Sequence, residues 1–343
     1  MNVLRSCHIP SILRWFLALS ILVIPQSVLA ESWQAKVGAQ SHDLGHQALA
    51  FLPNEIWIHA GDSITWTVET DEIHTVTFLI SGQVRLPFQV GCPGVSPDGS
   101  SYDGSACVTT PPLAKGQTFT VSFPKAGNFK LVCQVHENMS GAVHVLDLST
   151  KLPHDQDFYD DQAAAQRKEL LSDKDGTGDN DHDGDHDHDH RDSHHGHSAR
   201  NTVISGVGEI TATPGGSQSV SIMRFMEPLK VIHAGETIEW DNTDPITPHT
   251  ITFGVEPVNP MPPSGNVPIT VDADGALHAT INSNADNVHS GFIQSAPQER
   301  IGLAQAPLGK TRFRITFTHA GVYPYICALH DNLGMVGKVI VLP

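Results

Sequence analysis

Residues 317–341 read FTHAGVYPYICALHDNLGMVGKVIV, and residues 123–145 read FPKAGNFKLVCQVHENMSGAVHV. Each stretch passes from Phe through an Ala-Gly turn into a run that ends on cysteine. A short loop carrying His and Met follows, and then a run rich in β-branched residues. Apolar and polar residues alternate on both sides of the loop, which is the two-residue period of a strand. A strand–loop–strand unit therefore occurs twice, at an offset of 194 residues.

Upstream the repeat continues. Phe51 and IWIHAGDSITW (56–66) correspond to Phe225 and LKVIHAGETIEW (229–240), at an offset of 174. The extra residues of the second copy fall mainly in a Pro- and Asn-rich insertion at about 259–310. Alternating runs bounded by Gly, Pro and Asp recur at 56–58, 63–68, 74–79, 118–123, 129–133 and 142–146. Their rhythm predicts an all-β chain of two antiparallel sandwiches. A length of 343 residues suits two domains, placed at 31–150 and 200–343. A helical period is confined to 162–171, within the connector.

The connector, 151–199, has a different composition. Between Asp155 and Asp192 stand fourteen acidic and four basic residues, so it carries most of the net charge of −17. That balance excludes the basic footprint of a nucleic-acid binder. Seven histidines (182, 186, 188, 190, 194, 195 and 197) lie among these aspartates or just beyond them. The run reads as a hydrated flexible spacer that could also capture a divalent metal. Its opening at Asp179 resembles a calcium loop, but His190 stands where the twelfth-position glutamate belongs.

Residues 1–30 read as a secretory signal. Arg5 and Arg14 precede an apolar stretch at 15–24, then Pro25 and the small-residue site ending at Ala30. Ten apolar residues are too few for a bilayer, which takes about 20. The chain is therefore expected to be exported, periplasmic or secreted, without stable membrane insertion. Export permits disulfides. Cys7 departs with the signal, and a Cys92–Cys107 disulfide would close a loop of Gly, Pro, Ser and Asp. Cys133 and Cys327 remain, each beside His and Met.

Those two thiols decide the chemistry. The first copy gives Cys133-x2-His136-x2-Met139, and the second gives Cys327-x2-His330-x4-Met335. Each copy also has an upstream histidine, His74 in HTVTF and His249 in HTITF, on corresponding strands. Singly, a Cys or Met is most often core and a strand His is most often hydrogen-bonded. Four such residues in the same order, twice, point to metal. One thiolate, two imidazoles and a thioether select copper in an electron-transfer site, whereas zinc rarely takes thioether. A disulfide between Cys133 and Cys327 is the rival for the thiols.

Both halves resemble cupredoxins of the plastocyanin/azurin family over most of 31–150 and 200–343. YPYICALHDNLGMVGKVIV and Pro248-His249 are close to the plastocyanin and pseudoazurin pattern, and the x2/x2 loop of the first half is amicyanin-like. The resemblance implies Greek-key sandwiches and two type-1 coppers. One would be held by His74, Cys133, His136 and Met139, the other by His249, Cys327, His330 and Met335. It implies single-electron transfer with redox protein partners, across a partly exposed edge of His136 or His330. Thr75 and Thr250 follow the first histidines where plastocyanins often have Asn, a departure that bears on the hydrogen bond to the thiolate and on the potential. Copper storage, delivery or resistance is the alternative. A two-domain oxidase or nitrite-reductase-like enzyme is less favoured, since His-x-His pairs occur only in the connector. His59 and His233 read as turn or surface residues, His42 and His46 as unrelated to a metal, and Trp66 and Trp240 as core.

Overall fold

A computed structural model describes residues 30–83, 85, 92, 94–172, 201–295 and 311–343. The signal expected over 1–30 lies almost wholly outside these residues, as does the histidine-rich run with its expected metal capture. No helix among the described residues is long and apolar enough to cross a membrane.

The first half contains β1 (Ser32–Gln40), β2 (His46–Leu52), β3 (Glu55–His59), β4 (Ser63–Val68), β5 (Thr77–Phe78), β6 (Ser100–Ser101), β7 (Val108–Thr109), β8 (Thr118–Ser122), β9 (Gly127–Val132) and β10 (Ser140–Leu146), followed by α1 (Gln156–Leu171). The second half contains β11 (Thr202–Thr213), β12 (Gly216–Met226), β13 (Leu229–His233), β14 (Thr237–Thr243), β15 (Thr252–Phe253), β16 (Ser264–Gly265), β17 (Ile269–Val271), β18 (Leu277–Ile281), β19 (Val288–His289), β20 (Arg312–Phe317), β21 (Gly321–Ile326) and β22 (Val336–Leu342). Each half is a β-sandwich whose chain switches repeatedly between two facing sheets.

In the first sandwich β2-β1-β4-β8-β6 faces β3-β10-β9-β5-β7. In the second, β12-β11-β14-β20-β18-β17 faces β13-β22-β21-β15-β19-β16. Alternation sets the inner faces: Ile64, Trp66 and Val68 of β4 point inward, as do Ile238 and Trp240 of β14. Trp66 packs on Phe78 at 5.6 Å, and Trp240 on Phe253 and Tyr325 at 5.7 and 5.3 Å. Such rings bury about 150–250 Å² each and dominate a core of this size. The insertion of the second half supplies β16 to β19, which lengthen both of its sheets.

The two sandwiches are not merely tethered. β12 pairs antiparallel with β2, matching Ser219 to Leu49 and Ile222 to His46, so two sheets fuse into one of eleven strands. Ile246 of the second half is 2% exposed within the core cluster of the first. Arg224 spans the seam, donating to the carbonyls of Leu333 and Asp43 at 2.7 and 2.5 Å. The helix expected over 162–171 begins at Gln156 and packs on the first sandwich, burying Tyr159 and Ala163.

Candidate metal centres

Each centre is assembled from a strand and a loop. His74 and His249 are held by paired backbone bonds to Leu113 and Ile293, which fixes both rings at the end of a sheet. Cys133 and Cys327 directly follow β9 and β21, and their N–H groups donate to the carbonyls of Met139 and Met335 at 3.0 Å. Those bonds close the loops that carry His136 and His330. Gly334 takes the left-handed conformation needed to close the longer loop, and Asn138, at φ 58°, takes it in the shorter one.

In the first centre Cys133 Sγ lies 3.9 Å from Nδ1 of His74 and 3.8 Å from Nδ1 of His136, and the two nitrogens are 3.2 Å apart. In the second the corresponding distances from Cys327 are 3.9 and 3.4 Å, with the nitrogens again 3.2 Å apart. Every one of these six side chains is buried. The spacing fits an ion about 2.1 Å from each nitrogen and about 2.3 Å from sulfur, ordinary bond lengths for such ligands. Two imidazole nitrogens and a sulfur thus converge in a buried pocket, a donor set that could hold a metal cation. Met139 and Met335 are buried on the same loops.

The electrostatics prepare the thiols as ligands. Burial pushes Cys133 up, but its contacts with His136 and His74 overcome this and hold the thiol well below its ordinary value. Cys327 is lowered in the same way, by the charge of His330 and the hydrogen bonds of both histidines. A metal-binding cysteine must be a thiolate, so both pockets favour the required form.

Thr75 and Thr250 take over the contact expected of Asn. Their backbone N–H groups point at the sulfurs at 3.5 and 3.4 Å. Their hydroxyls accept from the N–H of Gln134 and Ala328, the residues after the cysteines, at 2.8 and 2.7 Å. Each threonine thus fixes the thiolate from two sides.

One expectation is overturned. His136 and His330 do not form a partly exposed edge: they are 2% and 3% exposed and face each other across the junction of the two sandwiches. Between them stands the buried carboxyl of Glu72, with Oε1 3.2 Å from Nε2 of His136 and Oε2 3.8 Å from Nε2 of His330. Burial would raise Glu72, yet the hydrogen bond from His136 and the surrounding imidazoles bring it down to about 2. His136 is carried up to about 9 against its own burial by Cys133 and Glu72.

The upstream histidines differ from each other. Nε2 of His249 lies 3.3 Å from Asp244 Oδ2, and together with Cys327 this carboxylate outweighs burial and lifts the ring to about 9. Nε2 of His74 has no hydrogen-bond partner among the described residues, and burial lowers that ring. Behind both rings a bulged first strand presents a left-handed glycine. A Cβ on Gly38 would stand 2.7 Å from Nε2 of His74, and one on Gly206 would stand 2.1 Å from Nε2 of His249. Sequence reading missed Glu72, Asp244, Gly38 and Gly206. A carboxylate in the turn before each histidine, and a glycine inside each first strand, were the available signals.

His59 and His233 bond the carbonyls of Thr150 and Pro343 at the surface, as expected of turn residues. Cys92 and Cys107 form a disulfide with Cα atoms 5.5 Å apart, and Cys133 and Cys327 are free.

A family model of copper binding proteins, plastocyanin/azurin family, matches residues 38–146 and 212–342. The chain belongs to this family. It is a tandem cupredoxin, since the match falls once on each sandwich. A chloroplastic plastocyanin of Tetradesmus obliquus is 31% identical over 108 residues, covering 32% of this chain. The tandem cupredoxin spans 61% of the length of that relative. Solved neighbours include the amicyanin of Paracoccus versutus, at 19% identity with 35% of this chain and 86% of that one covered and a TM-score of 0.24. A reduced amicyanin variant matches at 20% identity, covering 34% and 82%, with a TM-score of 0.23.

Proposed function

We propose that this tandem cupredoxin is an exported single-electron carrier with two type-1 copper centres. His74, Cys133, His136 and Met139 hold one ion, with His249, Cys327, His330 and Met335 holding the other. The carrying observation is the convergence, twice, of one sulfur and two Nδ1 atoms in a buried pocket that favours the thiolate. Copper bound there supplies a one-electron couple, the thiolate suiting Cu(II) and the soft sulfurs suiting Cu(I).

The chain's part is to keep the ligands still. Both upstream histidines are locked into a sheet by backbone bonds, and each cysteine is held by a threonine and by its own loop. Ligands held this firmly change position little when the charge changes, so little reorganisation opposes transfer. A surface cleft of about 1120 Å³, lined by Leu79, Tyr102, Phe129 and Lys130, reaches Met139 and gives a redox protein partner an approach to the first centre. The Cys92–Cys107 disulfide supports an oxidising compartment.

Copper titration of the full chain is expected to develop a strong thiolate-to-copper visible band at two ions per chain. Cys133→Ser and Cys327→Ser should each remove one contribution and leave the other. Absence of that band from the copper-loaded protein overturns the reading.

A further inference from the structure

Glu72 occupies the one place where the two centres meet. His136 and His330 come from different sandwiches, and each turns Nδ1 toward its own cysteine and Nε2 toward this carboxyl. A neutral imidazole that ligates through Nδ1 carries its proton on Nε2. The junction then presents two N–H donors to a single residue. A carboxylate has two acceptor oxygens and no donor, whereas a carboxamide would turn an NH₂ toward one of the rings. The chemistry of the junction therefore selects a carboxylate in particular.

The fold holds that carboxylate in place. The Glu72 N–H donates to the Thr70 hydroxyl at 3.1 Å, and this hydroxyl lies against the side-chain carbonyls of Gln40 and Gln47. Gln47 belongs to β2 and is matched to Ser221 across the seam. The strand pairing that joins the sandwiches thus also positions Glu72. Counted from the shared tryptophans the second half has Ile246 at this place, and counted from the upstream histidines it has Thr247, so the corresponding turn of the second half offers no second carboxylate there.

We propose that Glu72 is a positioning residue common to both metal centres, holding the outer nitrogen of His136 at 3.2 Å, standing 3.8 Å from that of His330, and setting one negative charge against both sites. The proposal rests on reading the two quartets as copper ligands. A carboxylate on the far nitrogen of a ligating histidine orients the ring and raises its basicity, which favours the oxidised ion over the reduced one. At Glu72 the same group acts on two ions, so a single substitution changes two centres.

The test uses the full chain loaded with copper. Glu72→Gln is expected to keep both thiolate-to-copper bands, to lower copper affinity by about 10–100-fold at each site, and to raise both potentials. Each tenfold selective weakening of Cu(II) corresponds to about 59 mV. The sites are assigned by repeating the substitution in Cys133→Ser and Cys327→Ser backgrounds, which retain one centre each. Glu72→Asp keeps the charge at shorter reach, and should shift both potentials the same way by less. It also serves if the Gln variant fails to fold.

A second arm uses Zn(II), which needs no redox chemistry. In the zinc-loaded protein the ring ¹⁵N resonances of both His136 and His330 should move on substitution of Glu72. Movement at the His136 centre alone, or at neither, overturns the proposal. If the wild type lacks the copper band while zinc still moves both rings, the blue-copper reading falls and the sharing of Glu72 stands.

Discussion

Asp244 and Thr70 stand four residues past the shared tryptophans, and they give the two upstream histidines different neighbours. Asp244 reaches Nε2 of His249 and is itself held by Ser221 and by the N–H groups of Ile246 and Thr247. Thr70 sends no group to Nε2 of His74 and instead supports Glu72. Asp244→Asn keeps an oxygen for the turn but removes the charge. Copper affinity at the second centre should then fall about 10–100-fold and its potential should rise, with the first centre unchanged. Redox titration in the Cys133→Ser background isolates that centre, and an unmoved potential there would refute the role. The two quartets proposed as ligands stand out in sequence because Cys, His and Met at fixed spacing are chemically unusual. Glu72 and Asp244 were not, because acidic residues are common in turns and only the fold decides which way they point.

The helix α1 shows what an element can do beyond filling a core. Its Asp155 cap accepts from the N–H of Phe158, and its inner face buries Ala163 over Ala39, Ala48 and Ala50. Two of its side chains also finish exposed strand edges. Gln156 exchanges hydrogen bonds with the backbone of Gln34 at 2.9 and 3.1 Å. The Tyr159 hydroxyl accepts from the N–H of Trp57 at 2.8 Å and donates to its carbonyl at 3.1 Å. Trp57 lies on β3, an edge strand whose outward groups would otherwise recruit another chain. Tyr159→Phe leaves both half-buried groups without this partner, at a cost of about 1 kcal/mol measured by denaturant unfolding. Burial also carries Tyr159 and Tyr325 up to about 12. A raised tyrosine holds its proton more tightly when folded, so its share of stability is present below pH 10 and is lost as pH rises toward about 12. Tyr159→Phe should flatten part of that alkaline slope. The period at 162–171 was readable because that stretch is rich in helix formers. The first turn escaped notice because it carries Gln156, Asp157, Asp160 and Asp161 around the buried Tyr159, and Gln156 serves a strand instead of an apolar stripe.

For the molecule as a whole, the repeat foretold two sandwiches but not how they sit together. The residues that join them differ between the copies and so leave no trace in the comparison of one half with the other. β12 is the clearest case: it alternates like any surface strand, yet it pairs with β2 and makes two sheets one. That pairing shuts the loop histidines inside, so neither can serve as the exposed edge expected of a single cupredoxin. It also makes the junction a condition for both sites, because Glu72, His136 and His330 meet only while the seam is closed. Ile246 is the test of this dependence, since it comes from the second half and is buried in the core of the first. Ile246→Ala removes an apolar group of a kind worth about 2–5 kcal/mol when deleted from a core. The metal-free wild type should unfold in one cooperative transition, with His136 and His330 shielded from an imidazole-modifying reagent. In the variant the loss should fall on the seam, splitting the transition in two and exposing both histidines before either sandwich melts. Two separate transitions in the wild type, or rapid modification of its loop histidines, would mean that the halves behave independently. Each centre would then function as it does in a single-domain relative.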